Sequence, residues 1–302
     1  LRPAMVHAVS LKPVIYGGLV ARVMGVPAAV LAVTGLGYVF LREGTGAALT
    51  RTLVKWLYRF ALAHPNSRAV FQNPDDRALF VDARLVAPER VVLTRGCGVD
   101  TTEFTPAPEP QGTPTVVFPA RILGDKGAHE FVASARQLRA DGVAARFVMV
   151  GRTDRDNPTD IGEPTLHRWE AEGILEWWGF RDDMAAVLAQ AHLICMPSYR
   201  EGLPRVLIEA AACGRAIVTA DVPGCREIVR DCENGLLVPV RDGAATAAAI
   251  RRLIEAPDLR RRLGARGREI ALAEFSVERF VAETLAVYRQ LSTMPERAAA
   301  QP

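Results

Sequence analysis

An α/β chain of two parallel-sheet domains is what this sequence predicts, and three observations predict it. Short apolar runs alternate with helix-length segments from one end to the other, the pattern of successive βαβ units. One stretch, 105–114, carries four prolines and little that is apolar, and interrupts the alternation once, as a linker would. The 302 residues are 49% hydrophobic, enough for two ordinary domains with cores of their own.

The elements follow in order. Residues 5–9 read as a strand, 13–23 as a helix and 28–34 as a strand. A glycine-rich loop spans 35–46, a helix 47–63 and a strand 68–72. Asn73 is placed to cap the next helix, with Pro74 in its first turn and Asp75 and Asp76 at its positive end. A strand at 91–94 closes the first run. The second run has strands at 115–119, 146–150, 175–177, 193–196, 216–219 and 236–238, helices between them, and a helical tail over 242–291; the residues after Met294 read as disordered. The expected division is 1–107, 108–275 and 276–302, the last being a helix and tail. The chain opens on Leu1, not Met, and enters its first strand at once, so the first domain is expected to be truncated.

Composition narrows the classes. Net charge is +3, with acids and bases nearly balanced, which argues against a nucleic-acid binder. The five cysteines are Cys97, Cys195, Cys213, Cys225 and Cys232. None has zinc-type spacing, and their odd number reads as reduced thiols in a cytoplasmic protein. No apolar run approaches the roughly 20 residues of a membrane span, and no secretory signal is visible. Arginines from Arg251 to Arg268 interleave with acids at helical spacing and read as a solvated face. Residues 51–64 form an amphipathic pattern, with Arg51, Lys55 and Arg59 four apart and Leu53, Trp56, Leu57 and Phe60 opposite. Such a helix either lies on an anionic membrane or packs with a solvated basic stripe, and the sequence leaves both open.

The chemistry concentrates around two acids. Glu201 lies in a breaker-rich loop just past the strand 193–196; Glu209 lies in the helix that Pro204 opens and Gly214 stops. Strand ends of parallel sheets are where ligands bind. Two carboxylates beside the N–H groups of Gly202 and Leu203 suit a ligand with hydroxyls at one end and phosphate at the other. Gly202 permits close approach, and Pro204 has no N–H to offer. Arg121 and Lys126 follow the strand 115–119 and can hold a diphosphate as it gains charge on leaving.

The run 197–210, continued through 214–229 and 234–238, resembles the donor-site signature of glycosyltransferase family 4, retaining sugar transferases of GT-B fold. The resemblance implies two Rossmann-like domains, with the C-terminal helix returning to the first. It implies Glu201, Arg121 and Lys126 as catalytic: the two cations on the nucleotide diphosphate, Glu201 facing the donor sugar. It implies Glu209 on the ribose hydroxyls, with Gly202 and Leu203 on phosphate or sugar oxygens. Phe180 and Arg181, in Gly179-Phe180-Arg181-Asp182-Asp183, match the segment beside the nucleobase; Asp182 is also placed to cap a helix. The donor implied is a UDP-sugar, with no cofactor and no metal.

Segments 11–17, 33–40, 71–76 and 96–100 are similar to the branch of N-acetylgalactosaminyl and hexosaminyl transferases acting on undecaprenyl-diphosphate-linked sugars in cell-surface glycan synthesis. A saccharide acceptor on that lipid, and peripheral contact with the cytoplasmic face of the inner membrane, follow from the resemblance. The loop 34–38 is expected to face donor or acceptor across the cleft. One departure is Thr34, where many relatives have a His on the donor sugar; His7, on a strand, reads as structural. Three readings stand: a transferase, weak or inactive as this shortened chain; a nucleotide-sugar-binding remnant; and a sugar-nucleotide epimerase of the same fold.

Overall fold

A computed structural model of the chain describes residues 2–35 and 45–293, and of 45–51 the backbone alone. The contacts divide the chain into two compact units, 1–96 with 278–302, and 97–277.

In the first unit four parallel strands, β1 (Met5–Val9), β2 (Ala28–Val33), β3 (Ser67–Phe71) and β4 (Val91–Leu93), lie in sequence order. β2 is buried on both faces, as its unbroken apolar run requires. Ala29, Leu31 and Val33 point to one side, where α1 (Leu11–Val23) and α2 (Thr45–Leu62) supply Val14, Ile15, Tyr58 and Leu62. Ala28, Val30 and Ala32 point to the other, where α11 (Val277–Ser292) supplies Val287 and Leu291. The two-residue period of one strand thus serves two helical layers. α11 is pinned further by Asn66 donating to Leu291 O at 3.1 Å and by Tyr288 OH, 2.6 Å from His7 Nδ1. Asn73 caps α3 (Pro74–Asp82) as expected, its Oδ1 accepting from the Asp76 N–H at 2.7 Å. Of the glycine-rich loop 35–46, residues 36–44 lie outside the described residues, as does the tail after Thr293.

The second unit is a six-stranded parallel sheet: β5 (Thr115–Pro119), β6 (Arg146–Val150), β7 (Glu176–Trp177), β8 (Leu193–Met196), β9 (Ala216–Ala220) and β10 (Gly235–Val238). Their order in space is β10-β9-β8-β5-β6-β7. The chain therefore starts in the middle, builds outward to β7, then returns to β5's other side with β8. The crevice between the ends of β5 and β8 is the topological switch point, where the following loops diverge and leave room for a ligand. Helices α4 (Ala128–Ala140), α5 (Glu163–Ala171), α7 (Arg205–Ala212), α8 (Cys225–Ile228), α9 (Gly243–Glu255) and α10 (Pro257–Glu274) enclose a single core around Phe118, Phe131 and Ile194.

Four expectations are corrected. The proline-rich 105–114 is bound into the second unit instead of joining two units: Glu109 takes a fork of hydrogen bonds from Arg260 at 2.7 and 2.8 Å, and Pro110 O lies 2.9 Å from His192 Nε2. The unit begins earlier, at Cys97, because Val99 exchanges backbone hydrogen bonds with Phe275 and Val277. The arginine-rich stretch is more than a solvated face. Arg260 is buried against Glu109, and Arg268 Nη1 satisfies Phe104 O and Ala212 O at 2.7 and 2.8 Å. α2 turns Tyr58 and Leu57 inward and leaves Leu53, Trp56 and Phe60 to solvent with Lys55 and Arg59, so Leu57 and the other three do not share a face.

Candidate active site

Two loops meet at the switch point. After β5 the chain turns through a single 3-10 turn, Gly124–Lys126, into Gly127; after β8 it runs from Pro197 to Pro204. Gly127 adopts φ 82°, and a Cβ there would stand 2.3 Å from Pro197 O, so only glycine lets the loops touch. The Tyr199 N–H donates to Asp125 O at 2.9 Å, and Tyr199 OH donates to Glu130 Oε1 on α4 at 2.7 Å. These ties bring Lys126 Nζ to 2.6 Å from Glu201 Oε1, with the side chains 19% and 11% exposed.

A third loop supports the second. Gly224, at φ 80°, lies so close beneath that a Cβ would meet Gly202 O at 2.4 Å and Glu201 O at 2.8 Å. Gly202 and Leu203 thus sit on a floor of backbone, ahead of α7, whose cap position is Pro204. α7 ends as the sequence requires. Gly214, at φ 67°, and Arg215 donate to Ala211 O and Ala210 O, both at 2.9 Å, closing the last turn. Along α7, Glu209 is nearly buried and pairs with Arg205 one turn earlier, Nε to Oε1 2.7 Å. Burial raises the Glu209 carboxyl above its ordinary range, and Arg205 partly offsets that.

On the other side of β5, Arg121 points to half-exposed surface and donates to Asp154 Oδ2 at 2.7 Å. Its loop is crossed by the one after β6: a Cβ on Gly151 would stand 1.9 Å from Ala120 O, and the Ile122 N–H donates to Arg152 O at 3.0 Å. Gly151 in turn donates to Gly179 O at 2.8 Å, carrying the stitching on to the loop after β7. There Phe180 is exposed, with the Arg152 guanidinium 5.5 Å from its ring centre. Arg181 is bound side-on by Asp183, which also occupies the cap position of α6 (Met184–Ala189). Asp182, expected as that cap, is not it.

The structure therefore joins Lys126 to Glu201 directly and sets Gly202 and Leu203 beside them. Arg121, Glu209, Phe180 and Arg181 each have other neighbours: Asp154, Arg205, Arg152 and Asp183. Asp154 and Arg152 escaped the sequence reading. Their signal was position, since both follow β6 as Arg121 follows β5. Tyr199 and Glu130 had no local signal, being 69 residues apart. Among the described residues no three His, Cys, Asp or Glu side chains converge as a metal-ligand set.

Loop cations and acids at the switch point of a parallel sheet are an arrangement suited to an anionic, hydroxyl-rich ligand. Residues 113–256 match the family of glycosyl transferases group 1. The chain is 29% identical over 272 residues to an N,N'-diacetylbacillosaminyl-diphospho-undecaprenol alpha-1,3-N-acetylgalactosaminyltransferase of Campylobacter jejuni, 85% of this chain and 69% of that protein. It is 41% identical over 246 residues to a D-inositol 3-phosphate glycosyltransferase of Salinispora tropica, covering 73% of this chain but half of that one. Among solved structures it superposes on a sucrose-phosphate synthase of Thermosynechococcus elongatus at TM-score 0.82 and 24% identity, over 96% of this chain and 74% of that one. It also superposes on Anabaena HepE in complex with UDP at TM-score 0.77 and 19% identity, over 96% and 79%. The fold is that of GT-B glycosyltransferases, and residues 113–256 are similar to the group 1 glycosyl transferases.

Proposed function

We propose that this chain transfers a hexose or N-acetylhexosamine from a UDP-sugar, with retained anomeric configuration, to a saccharide acceptor carried on undecaprenyl diphosphate in cell-surface glycan synthesis. The observation that carries the proposal is the Lys126–Glu201 pair at the switch point. A cation and an acid in contact there suit the junction of a sugar–diphosphate bond. The acceptor and its lipid are taken from the Campylobacter relative's name, and UDP is what HepE holds.

In this reading Arg121 and Lys126 take the diphosphate. The anomeric C–O bond breaks toward it, and the cations offset the charge that develops on the departing oxygen. Glu201 orients the sugar or balances positive charge at its anomeric carbon. The acceptor hydroxyl attacks from the face the diphosphate leaves, and its proton passes to the departing phosphate oxygen. Glu209 accepts from the ribose hydroxyls, and the loop at Phe180 and Arg181 lies against the base. No metal enters the scheme. Action at the cytoplasmic face of the inner membrane follows from the proposed acceptor. The relatives reported above are named for sugar transfer, so the epimerase reading is set aside.

Calorimetric titration with UDP and a panel of UDP-sugars tests this. Micromolar binding, lost in Glu209→Ala and Lys126→Ala, is the expected result. Binding of GDP or ADP in place of UDP would replace the donor, and a folded chain that binds no nucleotide would overturn the reading.

A further inference from the structure

α1 and α2 lie side by side on one face of the first sheet, so close that a Cβ on Gly18 would stand 2.9 Å from Ala61 Cβ. Their inner residues fill the core, yet their outer sides are not polar. α1 presents Tyr16, Val20 and Val23 to solvent, and α2 presents Leu53, Trp56 and Phe60. The spacings of four and three, and of three and four, lay these out as a stripe along each helix. Val23 is 75% and Trp56 69% exposed. An apolar patch drawn from two neighbouring elements marks an interaction surface, whereas scattered exposed residues need no explanation.

Charge identifies the occupant. Every formally charged residue of α1 and α2 is basic: Lys12 and Arg22 on the first, Arg51, Lys55 and Arg59 on the second. Arg22 binds the two helices at the surface, donating to Phe60 O at 2.9 Å with its guanidinium 4.2 Å from the Phe60 ring centre. Solvent-facing helices of the second unit are built differently, with arginines answered by acids, as in Arg136–Glu172 and Arg266–Glu269. A face that is apolar in the middle, carries an aromatic pair and has only positive charge suits the headgroup region of an anionic bilayer. A second copy fits poorly, because a two-fold contact would set these basic residues against themselves.

We infer that the α1–α2 face is a docking surface for an anionic lipid bilayer. Leu53, Trp56, Phe60, Val20 and Val23 seat in the interface, and Lys12, Lys55 and Arg59 reach the headgroup phosphates. The inference deepens the membrane contact named in the proposed function; it involves none of the donor-site residues.

The test is co-sedimentation with vesicles of phosphatidylcholine, and with vesicles in which about a third of that lipid is replaced by phosphatidylglycerol. The expected result is binding to the anionic vesicles alone, weakened by salt. It should fall roughly tenfold or more in Val20→Ser/Trp56→Ser and in Lys55→Glu/Arg59→Glu. UDP affinity measured on the same preparations should be unchanged, which shows the variants folded. Absence of binding, equal binding to neutral vesicles, or variants that bind like the parent would overturn the inference. So would a concentration-dependent dimer that Trp56→Ser dissolves. Vesicle binding without UDP binding would sink the donor site alone, and the reverse would sink the docking surface alone.

Discussion

Lys126 and Glu201 are 75 residues apart in sequence and 2.6 Å apart in space, and the contact exists because the loops after β5 and β8 are fastened to each other by backbone. Each charge is mostly removed from water and each is the other's counterion. Removing one strands its partner in a poorly solvated place.

Lys126→Met or Glu201→Gln should therefore each destabilise the fold by about 2–4 kcal/mol. The double variant should cost less than the sum of the two. Urea unfolding of the three variants completes the cycle. Additive losses would show that the pair is not coupled.

Arg121 should behave in the opposite way. Its bond to Asp154 is half exposed, and such a pair contributes only ~0–1 kcal/mol. If it serves the diphosphate, Arg121→Ala should leave the urea midpoint almost unmoved and weaken UDP binding by about tenfold or more. Calorimetry beside denaturation separates the two roles. Unchanged UDP affinity would remove Arg121 from the site.

Two glycines that share a positive φ should respond differently to the same substitution. Gly214→Ala places a methyl no nearer than 3.7 Å to any neighbour, so only the left-handed backbone is penalised, by about 1–2 kcal/mol. Gly224→Ala pushes the methyl against Gly202 O and Glu201 O, so the loop bearing Glu201 must move. Gly224→Ala should lose more stability and also lose nucleotide affinity, whereas Gly214→Ala should keep its affinity. Equal effects on affinity would mean the Glu201 loop is not held from below.

Glu209 sets a pH dependence whose sign follows from its burial. Its folded pKa lies above the ordinary 4.5, so the folded chain holds the proton to higher pH than the unfolded chain. Burial of the charged form therefore costs stability above the folded value, and the cost disappears below the unfolded value. Glu209→Gln should gain stability near neutral pH and lose that advantage as pH falls through this window. Nucleotide binding should run the other way, because a protonated carboxyl accepts poorly from ribose. Affinity should fall on acidification at a higher pH than an ordinary carboxylate would give. Affinity that stays flat as pH falls through the window above the ordinary carboxylate value and through that value itself would argue against Glu209 as the acceptor.

The sequence by itself determined the alternation of strands and helices, the cap at Asn73, the stop at Gly214 and the placing of Glu201 and Glu209 on a loop and its helix. All of these are read from neighbours a few residues apart, where backbone preference and apolar period act. Tertiary structure alone decided which loops meet. It set Lys126 against Glu201, held both through Tyr199 and Glu130, gave Arg121 to Asp154, and drew 105–114 into the second unit through Arg260. It also left the apolar sides of α1 and α2 outward, where an amphipathic pattern by itself named no side. Those outcomes depend on strand order in the sheet, which brings residues 70 and more positions apart into contact; no local pattern encodes such a distance.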